Sequence, residues 1–394
     1  MTADTQRVPG AGTAGDTDGG TRPRHPAPRL AAGVFQGVAG AGMLVMPAVV
    51  HGLAGPSAPL LWGAHVALGA AVALLLTLLA RTGLPPMPLA AAVGSVLGRT
   101  SQRCVDLAYT IGFSAGQAAL AWFAAQSVVA AVAEDGHAAA WLGPVVAFGV
   151  LGVGFVLALL DVPTPPALLR LRLPVVGLLA FACAAAAWPA AAPGSALTPA
   201  SVPGAAAAAG IALLVLYFAG VGWESVTDLV PRTKAGPGVT LAGVALGASA
   251  VAAVYLPLAW LYGAAAGRPE GTPPGWLRYA LSTALLAVIT SYCFTNIRAA
   301  GRIVARVTGS TDPGARRRQL AVVGLLCAAF ATAGALPGSV VWLLLLPACA
   351  ATVGYVMGAV AAFRRIGNVT RWLAWPLVVA LAAVVEPIRL LLLG

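Results

Sequence analysis

The chain has 394 residues, 59% of them hydrophobic and 9% charged, with a formal net charge of +11. A soluble domain carries about 25% charged residues, so this composition excludes one and indicates a polytopic membrane protein. The basic excess does not point to nucleic acid, because it is dealt out to alternate connections between apolar runs.

Residues 1–30 hold Gly, Thr, Pro, Asp and Arg and almost no large apolar side chain, the composition of a disordered cytoplasmic tail. No short apolar stretch with a small-residue cleavage site opens the chain, so no secretory signal is expected. Eleven runs long enough to cross the hydrocarbon follow, at about 31–50, 59–80, 106–133, 140–160, 173–190, 204–229, 239–263, 279–305, 319–335, 338–363 and 370–393. The last reads as one tilted helix or as a helix broken near Pro387. Arginines mark every second connection: Arg81, Arg99 and Arg103 after the second run, Arg170 and Arg172 after the fourth, Arg232 with Lys234 after the sixth. Arg316, Arg317 and Arg318 follow the eighth, and Arg364, Arg365 and Arg371 the tenth. Arg268 and Arg278 are the exceptions. The positive-inside rule then puts the N-terminus in the cytoplasm and, after eleven spans, the C-terminus outside. Heavy use of Ala, Gly, Pro and Arg fits a GC-rich bacterial genome, hence a bacterial plasma membrane.

Runs one to five (31–190) and six to ten (204–363) form two halves, with 370–394 as an extra C-terminal helix. Five is odd, so the second half enters from the opposite side and the repeats are inverted. One pattern recurs in the first run of each half: Ala39-Gly40-Ala41-Gly42-Met43 and Ala219-Gly220-Val221-Gly222-Trp223. Glycine costs a helix interior about 1 kcal/mol relative to alanine. Backbone unwound there must line a cavity or a ligand, and matched breaks in two halves mark the substrate site of a secondary transporter. The alternative is that the small residues only let helices approach closely.

An unwound helix offers amide N–H groups on one side of the break and carbonyls on the other. The first attract a carboxylate and the second an ammonium, so a free amino acid is the expected guest. Phe218, Gln117 and Asn296 are expected near the breaks, an apolar lining with a few polar groups that fits a neutral, hydrophobic side chain. Glu224 follows the second break inside a span, where a carboxylate is expensive and functional by default. It reads as a proton-coupling or gating group, or as a cap for unwound backbone. Ser291 and Thr295 with first-break carbonyls are the alternative, a sodium site. His65 reads as a neutral hydrogen-bonded histidine or a relay. Asp106 is expected to meet an arginine, Asp228 a basic loop residue, and Arg298 water or an acid such as Asp228. The five cysteines and four histidines are dispersed, so no metal site, cofactor or enzymatic constellation is expected.

The stretch Tyr217-Phe218-Ala219-Gly220-Val221-Gly222-Trp223-Glu224-Ser225-Val226-Thr227-Asp228-Leu229 resembles the sixth-helix signature of the amino acid–polyamine–organocation superfamily. Gly40-Ala41-Gly42-Met43-Leu44-Val45-Met46-Pro47-Ala48 is similar to its first-helix signature. Tyr292-Cys293-Phe294-Thr295-Asn296-Ile297, followed by Gly301, Arg302 and Arg306, is similar to its eighth helix and cytoplasmic exit. The pattern looks most like a subgroup of bacterial exporters of methionine and branched-chain amino acids. The resemblance implies an all-α, LeuT-like five-plus-five inverted repeat with discontinuous helices 1 and 6 and alternating access. It implies substrate on the backbone of Gly40 to Gly42 and Ala219 to Gly222, with Phe218 or Trp223 as a gate. The chain departs from the family in the loop Val230-Pro231-Arg232-Thr233-Lys234, which lacks paired acids. The fifth span also lacks the lysine that some proton-coupled relatives use. The expectation is therefore a secondary amino-acid transporter, proton-coupled through Glu224, working as an exporter. Uptake, sodium coupling and a non-transporting membrane sensor or subunit are the alternatives.

Overall fold

The computed structural model of the chain describes residues 26–132, 140–188, 204–267, 273–310, 314–336 and 339–367, together with Val378. The expected eleventh span lies outside the described residues. The described residues form helices and no strand. In chain order they are α1 (Pro26–Val38), α2 (Gly42–Ala54), α3 (Ala58–Ala80), α4 (Leu89–Leu97), α5 (Arg99–Val132), α6 (Leu142–Leu159) and α7 (Pro166–Ala185). Then come α8 (Gly204–Ala219), α9 (Val226–Thr233), α10 (Pro237–Ala266), α11 (Gly275–Thr308), α12 (Ala315–Ala333) and α13 (Ser339–Ile366).

Among the described residues, length and hydropathy qualify six helical segments as membrane spans, or seven if the bent pair 205–219 and 223–233 counts as one. The expected count of eleven is thus not established, although each of the first ten apolar runs falls on helix. One qualifying segment, Gly42–Ala80, has 39 residues. At about 1.5 Å per residue it is roughly twice as long as the hydrocarbon is thick. Its helix is interrupted, because α2 ends at Ala54, Gly55 has a φ of 54° and a 3₁₀ turn through Pro56 leads into α3.

Three boundaries differ from expectation. α1 starts at Pro26, inside the expected tail, because Leu30, Ala31, Val34 and Val38 give it an apolar face to bury. The short α4 fills what reads as a loop, held by Leu89, Ala90, Ala92 and Val93. α7 starts at Pro166, seven residues before the expected span, so Arg170 and Arg172 belong to the helix and not to a connection.

α5 is the central post. The buried share of its apolar window is 72%, against 33% for α6 at the periphery. Its run of small residues explains this, since alanine and glycine let neighbours approach closely. Gly112 faces Ala350 of α13, and Gly116 faces Phe218. Large apolar side chains stand in the open on the outer helices, among them Leu178, Leu246, Trp260, Trp276 and Leu325. So much exposed apolar surface has its natural solvent in lipid, and the chain is a multi-pass membrane protein. Ion pairs tie helix ends. Arg306 meets the buried Asp106 at 2.7 Å, and Arg232 meets Asp228 within α9. Arg298 reaches Asp161 rather than Asp228, and Arg316 reaches the same Asp161 oxygen.

Candidate functional site

Both glycine patterns fall where helix stops. α1 ends at Val38 and α2 starts at Gly42, while α8 ends at Ala219 and a 3₁₀ turn, Trp223–Ser225, leads into α9. The bend across the second break is 41°. The broken segments are antiparallel. α1, which precedes the first break, lies on the residues that follow the second: Gly33 faces Leu229 and Gly37 faces Ser225. α2, which follows the first break, lies on α8, where a Cβ on Gly42 would stand 2.6 Å from the Ala219 Cα. Gly222 has a φ of 136° and its Cα faces the Gly37 carbonyl oxygen. Glycine is therefore required at both positions, at Gly42 for close approach and at Gly222 for backbone shape as well.

The breaks border a cavity of about 300 Å³ lined by residues of both, of α5, α7, α11 and α13. Of the residues expected at the site, Ala39, Gly40, Ala41, Gly42, Phe218, Ala219, Val221, Gly222, Gln117, Asn296 and Glu224 line it. Met43, Gly220 and Trp223 do not. Met43 is buried in the core. Trp223 is fully buried with its indole nitrogen against Gly69 of α3 and stands apart from the cavity lining. Gly220 is turned towards His65. His65 is fully buried, edge-on to Tyr217 and Trp62, and neither ring nitrogen has a hydrogen-bond partner among the described residues, contrary to the expected hydrogen-bonded histidine.

Three backbone carbonyls at the breaks lie against the hydroxyls of two tyrosines that sequence reasoning missed. The Tyr255 hydroxyl of α10 stands 3.1 Å from both the Val38 and the Ala219 carbonyl oxygens, one on each break. The Tyr355 hydroxyl of α13 stands 2.8 Å from the Gly220 carbonyl and 2.8 Å from Glu224 Oε2. The same Oε2 accepts the Gly222 N–H at 2.8 Å. A tyrosine in mid-span is the signal that could have found both, since its hydroxyl needs a partner when buried. Tyr255→Phe removes the hydroxyl tying the two breaks and should lower stability by about 1–2 kcal/mol. Thermal unfolding of the purified protein measures it, and an unchanged midpoint would show the hydroxyl to be idle.

Asn296 Nδ2 donates to Gln117 Oε1 at 3.3 Å, and Gln117 Nε2 donates to the Phe113 carbonyl at 3.2 Å, so the two expected polar residues meet each other across the cavity wall. Arg172 also lines the cavity. Its guanidinium lies 4.3 Å from the centre of the Tyr292 ring and donates to Thr295 Oγ1 at 3.0 Å. A guanidinium there repels a sodium ion from the Ser291–Thr295 position.

No family model matches this chain, and no curated protein does. Among solved structures, three crystal structures of single-site mutants of an Eremococcus coleocola manganese transporter share its fold. Each has a TM-score of 0.55 at 14% identity, over 90% of this chain and 85% of that one. The fold is that of a membrane transporter. These findings overturn the membership of the amino acid–polyamine–organocation superfamily and of its exporter subgroup: no family model supports it, and the similar fold belongs to a manganese transporter. The misleading stretches are short and made of glycine, alanine and aromatics. A break in any membrane helix selects such residues for physical reasons alone.

Proposed function

We propose that the chain is a secondary transporter of neutral, apolar amino acids that alternates access around the two broken helices. The observation that carries this reading is the cavity between the breaks. Its volume of about 300 Å³ lies at the small end of solute pockets. It borders the N-terminus of α2, where amide N–H groups favour a carboxylate. Phe113, Phe218, Leu120 and Pro347 offer apolar wall to a side chain. The halves 31–190 and 204–363 are read as inverted repeats, a reading supported by the antiparallel packing of the breaks. The membrane is read as a bacterial plasma membrane with the N-terminus in the cytoplasm.

Coupling to protons is read from Glu224. Tyr355 has one hydroxyl proton and two oxygen neighbours at 2.8 Å, the Gly220 carbonyl and Glu224 Oε2. A carbonyl only accepts. If Glu224 is ionised, one of these short contacts lacks a proton. If Glu224 carries a proton, it donates to Tyr355, Tyr355 donates to Gly220, and each contact is a hydrogen bond. Protonation thereby closes a chain that runs across the second break.

A second reading, metal-ion transport, comes from the solved structures, whose shared fold at 14% identity says nothing of cargo. Among the described residues no group of three or more His, Cys, Asp or Glu is placed to hold a metal ion. Counterflow of labelled leucine into proteoliposomes tests the proposal. Saturable exchange, driven further by a pH gradient, is expected. Uptake of manganese without amino-acid exchange would overturn it, and no flux of either solute would favour a sensor or subunit.

A further inference from the structure

We infer that Arg172 is the charge that selects the cavity's ligand: the solute is held by its carboxylate, and a solute that presents only positive charge is refused. This rests on reading the cavity as the solute site, and it names the group by which that site recognises its guest.

Four acidic side chains lie in the described residues: Asp106, Asp161, Glu224 and Asp228. Three of them are paired with other arginines, Asp106 with Arg306, Asp161 with Arg298 and Arg316, and Asp228 with Arg232. The fourth, Glu224, is engaged by the Gly222 N–H and Tyr355. Arg172 has none of them. Its partners are a neutral hydroxyl and the face of a phenol ring. These fix the direction of the guanidinium without cancelling its charge. An arginine that lines a cavity in a membrane protein is functional by default, and an anion is its natural counter-ion. Only part of its fork is used by Thr295, and the planar remainder matches the two oxygens of a carboxylate.

Several oxygen acceptors beside the cavity already face a donor. A metal ion or an ammonium needs oxygen acceptors. The single hydroxyl proton of Tyr255 is shared between the Val38 and Ala219 carbonyls, and the Tyr355 hydroxyl lies 2.8 Å from the Gly220 carbonyl. Asn296 turns its amide nitrogen to Gln117. Of the two charged side chains that line the cavity, Glu224 is engaged by Tyr355 and the Gly222 N–H, whereas Arg172 has no acidic partner among the described residues.

The test compares ligands that share one carbon skeleton. Thermal shift and equilibrium binding on the purified full chain would use leucine, 4-methyl-2-oxopentanoate, which keeps the carboxylate, 3-methylbutylamine, which keeps only the amine, and manganese chloride. Wild type should bind the two carboxylates and neither the amine nor manganese. Arg172→Gln should weaken carboxylate binding by about 30-fold or more, and Arg172→Lys, which keeps the charge but loses the fork, should recover part of it. A structural tie between α7 and α11 predicts instead a lower unfolding temperature with unchanged ligand preference. Equal binding of the amine and leucine to wild type overturns the inference, and this comparison needs no variant to fold. So does carboxylate affinity within twofold of wild type in Arg172→Gln, or no response to either carboxylate. If leucine exchanges normally but without regard to Arg172, the inference fails and the transport reading stands. If the oxo acid binds and leucine does not, the amino-acid reading fails and the role of Arg172 stands.

Discussion

Gly222→Ala should all but abolish transport and lower the unfolding free energy by about 3 kcal/mol. Two effects add. A φ of 136° is a backbone shape that alanine adopts only under strain, about 1–3 kcal/mol. The new Cβ would also fall on the Gly37 carbonyl oxygen and 2.9 Å from the Val38 nitrogen. That obstacle is backbone, so no rotamer change removes it. Relief requires α1 to move off the second break, which opens the cavity wall and draws Val38 away from Tyr255. Gly177→Ala in α7 is the control, because nothing stands within 4 Å of a Cβ built there. It should match wild type in both unfolding temperature and leucine counterflow. Wild-type behaviour of Gly222→Ala would mean that the breaks do not need their present contact.

Glu224→Gln should uncouple exchange from the pH gradient while leaving exchange itself in place. Wild-type flux driven by a titrating carboxyl changes by up to about tenfold per pH unit on one side of its transition. In the geometry seen, a single oxygen, Oε2, both faces the Tyr355 hydroxyl and accepts the Gly222 N–H. A protonated carboxyl oxygen does both tasks and an ionised one does only the accepting. The sign follows: falling pH closes the chain from Glu224 through Tyr355 to Gly220, and rising pH opens it. Glutamine cannot titrate, and neither of its terminal atoms both accepts and donates. Its pH profile for counterflow should be flat from pH 5 to 8, with accumulation against a gradient lost. A Glu224→Gln protein that still accumulates substrate in response to pH would move the coupling to another group.

What was legible in the chain followed from local composition. A run of about 20 apolar residues has few solutions in a membrane, so the positions of α3, α5, α6, α10, α11 and α13 could be read directly. Paired glycines inside such a run weaken helix locally, and both breaks lie where the glycines are. Arg172 was misplaced for a physical reason. Arginine next to an apolar run reads as the end of a span, whereas Pro165-Pro166 marks where the helix really starts. Proline at the first helical turn was the available signal. The family resemblance failed for a related reason: residues that break and pack membrane helices are the same few types in unrelated transporters.

The sequence by itself determined that this is a membrane protein of long apolar helices, two of them interrupted at glycine, with one carboxylate beside the second interruption. Those are statements about neighbours along the chain, where hydropathy and backbone freedom act. Only the tertiary structure decided that the breaks lie against each other, that Tyr255 and Tyr355 cover their carbonyls, that Trp223 turns away from the cavity, and that Arg172 turns towards it. Each of these depends on how helices far apart in sequence meet, and a side chain's partner across such a contact leaves no mark on its own neighbours in the chain.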